Sequence, residues 1–156
     1  MAEGFVIRKA KSSDAMAARE VVFPILEHYG LRPEPQGTDA DLFDLDAAYV
    51  RAGGAFFVLE DPAGRVVGTC GLKPIDRERI ELRKMYLSPA ARGQGHGRRL
   101  LEHAIAEARR LGFRKLELET ASVLVEAIAL YRSRGFVPRC GGVETKRCDQ
   151  AFTLDL

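Results

Sequence analysis

The segment Ser88–Leu101, SPAARGQGHGRRLL, places three glycines, Gly93, Gly95 and Gly97, within five positions. Arg92 precedes them, Arg98 and Arg99 follow, and an apolar helical pattern then begins. A helix N-terminus carries unpaired amide N–H groups and a partial positive charge. Glycine lets a ligand come close to the backbone because no Cβ intervenes. Flanked by arginines, such a turn suits an anion, most naturally a phosphate. Two familiar phosphate loops do not match. The string G-x-x-x-x-G-K-[ST] is absent, and the G-x-G-x-x-G string begun at Gly93 ends on Arg98 instead of glycine. A glycine-rich connection with solvated arginines is the bland alternative.

The remaining reactive side chains exclude other chemistry. The three cysteines, Cys70, Cys140 and Cys148, form no C-x-x-C pair, so neither a disulfide framework nor a zinc site is expected. The three histidines, His28, His96 and His103, lack metal-ligand spacing, so no metal is expected. Cys70 falls in an apolar run and is expected to be buried. Cys140 and Cys148 flank the last loop, where exposure is expected. His103 falls on the polar side of its helix and is expected to be solvated.

Elements must position the glycine turn. FVIRKA reads as a first strand, and Ser12, Ser13 and Asp14 can cap the helix that follows. Its stripe is Ala18, Val22, Ile25, Leu26 and Tyr29, with Pro24 predicting a kink or an early end. After the loop GLRPEPQG, the run TDADLFDLDAAYVRAG reads as one short helix with acids early and Arg51 late. GAFFVLED and RVVGTCGLK flank a turn and read as a β-hairpin. RERIELRKMYL alternates, with Ile80, Leu82, Lys84 and Tyr86 on one face and Glu81, Arg83, Met85 and Leu87 on the other. Leu100, Leu101, Ala104, Ile105, Ala108 and Leu111 then line one helix face, closed by Gly112 in a left-handed C-cap. RKLELET is a strand, VLVEAIALYRSRG a helix closed by Gly135, FVPR a short strand, CGGVETKRCDQ a loop and AFTLDL a last strand. This order predicts a mixed sheet with helices on its faces.

The pattern [RQ]-x-x-G-x-[GA] is filled by Arg92, Gly95 and Gly97. Here the chain resembles the GNAT family of acyl-CoA-dependent N-acyltransferases, in its small stand-alone bacterial form. The likeness extends through RKMYLSPAARGQGHGRRLLEHAIAEARRLGFRKLELET and EAIALYRSRGFVP, with the A-x-x-x-Y-x-x-x-G-F signature at Ala127, Tyr131, Gly135 and Phe136. It covers the C-terminal half, while the N-terminal half fits only the element order. The resemblance implies an α/β (α+β) fold: a mixed, centrally splayed, mostly antiparallel sheet of about seven strands flanked by about four helices. It implies one N-acetyltransferase domain over residues 1–156.

The resemblance also implies acetyl-CoA as cosubstrate, with no metal. The backbone at Gly93, Gln94, Gly95, His96, Gly97 and Arg98 would wrap the pyrophosphate, with Arg92 and Arg98 suited to its charge. Backbone groups of Met85 and Leu87 would pair with the pantetheine arm, and the Met85 N–H would serve as oxyanion donor. Tyr131 would be the acid that protonates the departing thiolate. Glu81, on the strand face expected to carry Met85, would be the general base, with Glu117 and Glu119 as competitors and a water chain as the alternative. The reading for Glu81 as a plain surface residue is an ion pair with Arg79 or Arg83. Many relatives carry asparagine where this chain has Leu124, so that cofactor contact would be absent or supplied by Ser122 or backbone.

The expected reaction is acetyl transfer to a primary amine, of a small molecule such as an amino acid, by direct attack in a ternary complex. Acetylation of a protein N-terminus or lysine is the alternative within enzymes, and a non-catalytic acyl-CoA sensor the alternative outside them. A closed pocket would favour a small acceptor and a long groove a protein. The acceptor walls are expected from EHYGLRPEPQG with Tyr29, the strand from Lys73 to Arg83 and the loop CGGVETKRC. A net charge of +2 over 156 residues disfavours a nucleic-acid partner. The hydrophobic fraction of 46% is enough for a core, yet no run approaches a membrane span and the first residues lack a signal-peptide core. A cytoplasmic protein without a membrane partner is expected. Oligomeric state is open, a homodimer included.

Overall fold

The computed structural model describes residues 4–139, 143 and 147–156. Cys140 therefore lies outside the described residues, as does most of the loop around it. The strands are β1 (Val6–Lys9), β2 (Ala55–Glu60), β3 (Val66–Pro74), β4 (Arg79–Leu87), β5 (Lys115–Thr120), β6 (Val137–Pro138) and β7 (Gln150–Asp155). They form one seven-stranded sheet in the order β1-β2-β3-β4-β5-β7-β6. Among the described residues only β4 and β5 pair in parallel; the other neighbours are antiparallel. Three α-helices, α1 (Ala15–His28), α2 (His96–Arg110) and α3 (Val125–Ser133), together with short helical turns, flank the sheet. This is the splayed mixed architecture the sequence predicts.

Each face of the sheet buries its own core. Leu100, Leu101, Ala104, Ile105 and Ala108 of α2 pack with Phe57, Leu59, Leu72, Ile80, Leu82, Leu116, Leu118 and Phe152, and α3 adds Tyr131. On the opposite face, Ala18, Val22 and Leu26 of α1 pack with Leu42, Leu45, Tyr49, Phe56 and Val58. Helices α2 and α3 both close on glycine. The Phe113 amide reaches the Ala108 carbonyl at 3.1 Å and the Phe136 amide reaches Tyr131 at 3.0 Å, which are the long bonds of a Schellman end.

Four expectations are corrected. Helix α1 does not end early at Pro24 but continues to His28; Val21, Val22, Ile25 and Leu26 keep both sides of the proline buried and outweigh one missing backbone bond. Asp14 stands at the N-cap position of α1 but makes no side-chain cap bond to it. Its carboxylate turns back to the Lys11 amide at 2.6 Å and to the Arg8 guanidinium at 2.8 and 3.0 Å. The run from Thr38 to Gly53 is two pieces, a 3-10 turn at Ala40–Phe43 and a π-helical turn at Asp46–Val50. Asp44 separates them with non-helical dihedrals, φ −149 and ψ 85, and its carboxylate accepts the Ala47 amide at 3.0 Å.

The fourth correction concerns β4. Its register against β3 jumps from Gly71↔Arg83 to Thr69↔Tyr86, and Lys84 has φ 53. This bulge inserts one residue and reverses the alternation. Met85 and Leu87 join Ile80 and Leu82 on the α2 face, whereas Tyr86 packs on the α1 side. Glu81 and Met85 therefore lie on opposite faces of the strand, not on one.

Candidate active site

Strands β4 and β5 pair over three positions only, Arg79↔Lys115, Ile80↔Leu116 and Glu81↔Glu117. Beyond Glu81, β4 follows β3 and β5 follows β7, and the sheet opens into a cleft of about 530 Å³. A bulge strengthens local twist, which turns the end of β4 away from β5.

The bulge also aims the backbone. The Thr69 hydroxyl donates to the Lys84 carbonyl at 2.6 Å, on the β3 side. All described peptide bonds are trans, so the next amide, Met85 N–H, points away from β3 and into the cleft. The Ser88 amide bonds to Val67 at 2.8 Å, toward β3. By alternation, the polar groups of Leu87 face the cleft. The Leu87 carbonyl there accepts from Arg92 Nε at 3.1 Å.

At one end of the cleft stands the N-terminus of α2. Gly95 is its cap with φ 85, and Gly93 has φ 76. Both conformations favour glycine, and a Cβ at either residue would meet no protein atom within 4 Å. The first helical bond runs from Arg99 N to Gly95 O, which leaves the amides of His96, Gly97 and Arg98 without intrahelical acceptors. Arg92, Gly93, Gly95, His96 and Gly97 line the cleft. Gln94 and Arg98 flank it: the Gln94 side chain donates to the Ala90 carbonyl at 3.1 Å, and Arg98 donates to the Ser133 hydroxyl at 3.0 Å. Arg99 turns away, to His96 Nδ1 and the Phe5 carbonyl. The His96 ring is buried against Phe5, with centroids 4.3 Å apart, and burial followed by Arg99 lowers its pKa.

Tyr131 enters the cleft from α3 beside Leu130, Ala127 and Leu124. Its ring packs on Phe136 at 5.7 Å. Burial pushes the phenol far above its usual range, so it stays protonated, a donor with no acceptor for its hydroxyl among the described residues. Leu124 offers the cleft only an apolar surface. The Ser122 hydroxyl donates to Asp149 at 2.7 Å.

The other end is polar. Glu81 lines it, paired with Arg83 at 3.3 Å. Burial raises its carboxyl pKa against the opposing pull of Arg83, and Glu119 across the splay adds to the rise. Glu117 is held between Arg79 at 3.1 Å and Arg139 at 3.4 Å; Glu119 reaches the cleft with Arg139 at 3.6 Å. Tyr29, Thr38, Lys84, Arg147 and Cys148 complete the walls. Lys84 Nζ lies 3.3 Å from both Asp39 and Asp41, and Arg147 forks onto Asp39 at 2.6 and 2.7 Å. Sequence reading misses this buried network because its members are spread over 108 positions and only the fold assembles them. Cys148 is half-buried, and burial pushes its thiol up to about 11. Cys70 is buried, with its thiol raised to about 12. His103 is exposed, as expected, with its ring edge-on to Phe57 at 4.4 Å. No group of three or more metal-ligating side chains occurs among the described residues, and no described helix is long and apolar enough to cross a membrane.

Comparison with known proteins gives this geometry its context. The chain is 38% identical over 136 residues to the uncharacterized N-acetyltransferase YjgM of Escherichia coli K12, covering 84% of this chain and 81% of that protein. It is 45% identical over 85 residues to an IAA acetyltransferase of Azospirillum brasilense, covering 53% of this chain and about half, 55%, of that protein's length. The structure of yncA from Salmonella typhimurium, solved with its cofactor acetyl-CoA, superposes with TM-score 0.77 at 26% identity over 98% of this chain and 94% of that one. A GNAT-family acetyltransferase from Staphylococcus aureus Mu50 shares the fold at TM-score 0.89, 19% identity and 97% and 98% coverage. The model of the acetyltransferase (GNAT) family matches residues 20–136, and the chain is accordingly an acetyltransferase of that family.

Proposed function

We propose that this chain transfers an acetyl group from acetyl-CoA to the primary amine of a small molecule, such as an amino acid, by direct attack in a ternary complex. The observation that carries the reading is one cleft with a bare helix N-terminus at one end and the Glu81 carboxylate at the other, with Tyr131 also in its walls. The residues fit the cofactor. Open space over Gly93 and Gly95 leaves the following amides free to take a diphosphate, with Arg92 and Arg98 beside them. The cleft-facing backbone of Met85 and Leu87 offers ladder positions to an extended amide-bearing arm, where Arg92 would exchange its bond to Leu87 for a phosphate.

Acetyl-CoA supplies an activated thioester. The protein supplies the proton positions. Glu81, its pKa raised by burial, takes a proton from the incoming ammonium. The Met85 N–H stabilises negative charge on an acyl oxygen, in a site sheltered from bulk water. The Tyr131 hydroxyl, held protonated and unpartnered, donates to sulfur. A small acceptor is favoured because, among the described residues, the polar end is crossed by a salt bridge from Arg147 to Asp39.

Release of free thiol from acetyl-CoA, measured across amino acids, polyamines and peptides, tests the reading. Turnover is expected with a small primary amine. Tight coenzyme A binding with no thiol release from any amine would make the protein a sensor, and turnover confined to peptides would make it a protein acetyltransferase.

A further inference from the structure

The two halves of the splayed sheet are joined again on the acceptor side. Asp39 belongs to the segment that follows α1, on the β1–β4 half. Arg147 precedes β7, on the β5–β7 half. Arg147 reaches Asp39 with both terminal nitrogens, at 2.7 and 2.6 Å, and donates to the Arg32 carbonyl at 3.2 Å. Asp39 has no exposed surface and also accepts the Glu34 amide at 2.7 Å, with Lys84 Nζ at 3.3 Å. Thr38 and Arg147, from the two halves, both line the cleft. A second and longer link, from the Tyr29 hydroxyl to Glu126 at 3.5 Å, spans the same divide between α1 and α3.

A buried ion pair is a weak source of net stability, because desolvation offsets the Coulomb gain, but its loss leaves an unpaired buried charge. Here the pair also sets geometry. It fixes residues 31–39 against residues 147–148 and so fixes the width of the acceptor entrance. The geometry points to Asp39 and Arg147 as a specificity-determining clamp that holds the acceptor end narrow, admits a small amine and excludes a peptide. This deepens the small-acceptor reading above and rests on it.

The test compares the wild type with Arg147→Gln. Thiol release from acetyl-CoA is measured with the twenty amino acids, putrescine, spermidine and an octapeptide with a free N-terminal amine, and amide hydrogen exchange is followed in both proteins. In the variant, KM for the best small amine is expected to rise about tenfold or more, KM for acetyl-CoA to hold, and the octapeptide to gain rate relative to small amines. Exchange is expected to quicken over residues 31–39 and to stay unchanged in α2. Arg147→Lys, which keeps the charge and loses the fork, is expected to fall between. An unchanged ratio of small-amine to octapeptide rates overturns the clamp, as does a uniform loss that affects both KM values and α2 exchange alike. If neither variant folds, faster exchange over 31–39 in the wild type at high salt, with α2 protected, supports the clamp, and its absence overturns it. Wild type that prefers the octapeptide while Arg147→Gln accelerates it further would sink the small-acceptor reading and leave the clamp standing.

Discussion

Glu81 carries a carboxylate into a setting where its charged form is disfavoured. Burial is the main cause, Arg83 opposes it, and the nearby Glu119 charge supports it. A raised pKa moves the acid limb of a base-catalysed reaction upward from the usual glutamate value of about 4.3. Activity should fall as pH drops through that raised value, because the base is then protonated. Glu81→Gln should lower kcat/KM by about 100-fold and abolish that acid limb. The pH profile of kcat/KM checks this, and an unaltered limb removes Glu81 as the base. Glu81 is legible in the sequence as an acid on a strand. Its true neighbourhood is not, since the bulge at Lys84 depends on cross-strand register and separates Glu81 from the face of Met85. Tyr131 is legible because a helix motif carries it, and the structure brings it to the same cleft as Met85. The Lys84–Asp39–Arg147 network leaves no local pattern at all.

At the scale of elements, α2 and its entry turn were the most readable part of the chain. The apolar stripe, the glycine end and the arginines are all local signals, and helices are decided locally more than sheets are. The same logic fails for the run from Thr38 to Gly53. There, buried Leu42, Leu45 and Tyr49 are pulled into the α1-side core at spacings that one regular helix does not supply. The entry turn also offers a test of the proposed cofactor site. Gly95→Ala would place a Cβ at φ 85, a strain of about 1–2 kcal/mol. The added carbon meets no protein atom but enters the space proposed for the diphosphate. A modest drop in Tm with a larger loss of acetyl-CoA affinity in calorimetry is expected. Equal affinity would move the diphosphate elsewhere.

The whole molecule is two half-sheets sharing three parallel rungs and tied across the cleft by Asp39 on Arg147, while Asp14 on Arg8 fastens the start of α1 within the β1–β4 half. The Arg8 bond, against the cost of burial, holds the Asp14 carboxyl below its usual range. Burial alone would raise Asp39, but Arg147 and the Glu34 amide outweigh it and the net shift is downward. A carboxylate with a depressed folded-state pKa stabilises the fold at pH values above its unfolded value of about 3.9, and that contribution is lost as pH falls through the folded value. Stability should therefore be flat with respect to these two groups at neutral pH and decline below about pH 4. Urea unfolding at stepped pH checks this. In Asp39→Asn the acid-sensitive part should shrink while neutral stability falls, by about 3–5 kcal/mol if the orphaned guanidinium stays buried. An identical acid slope would mean that Asp39 is not one of the groups involved.

The surplus residue at Lys84 has a consequence for how this chain can vary. Remove that single position and plain alternation would run unbroken from Ile80 to Leu87, with Met85 and Leu87 still toward α2 and Tyr86 still toward α1. What such a one-codon deletion would forfeit is the kink: the Lys84 carbonyl held by Thr69 would be gone, and with it the added twist that swings the end of β4 from β5. The cleft would narrow while every side chain kept its own side.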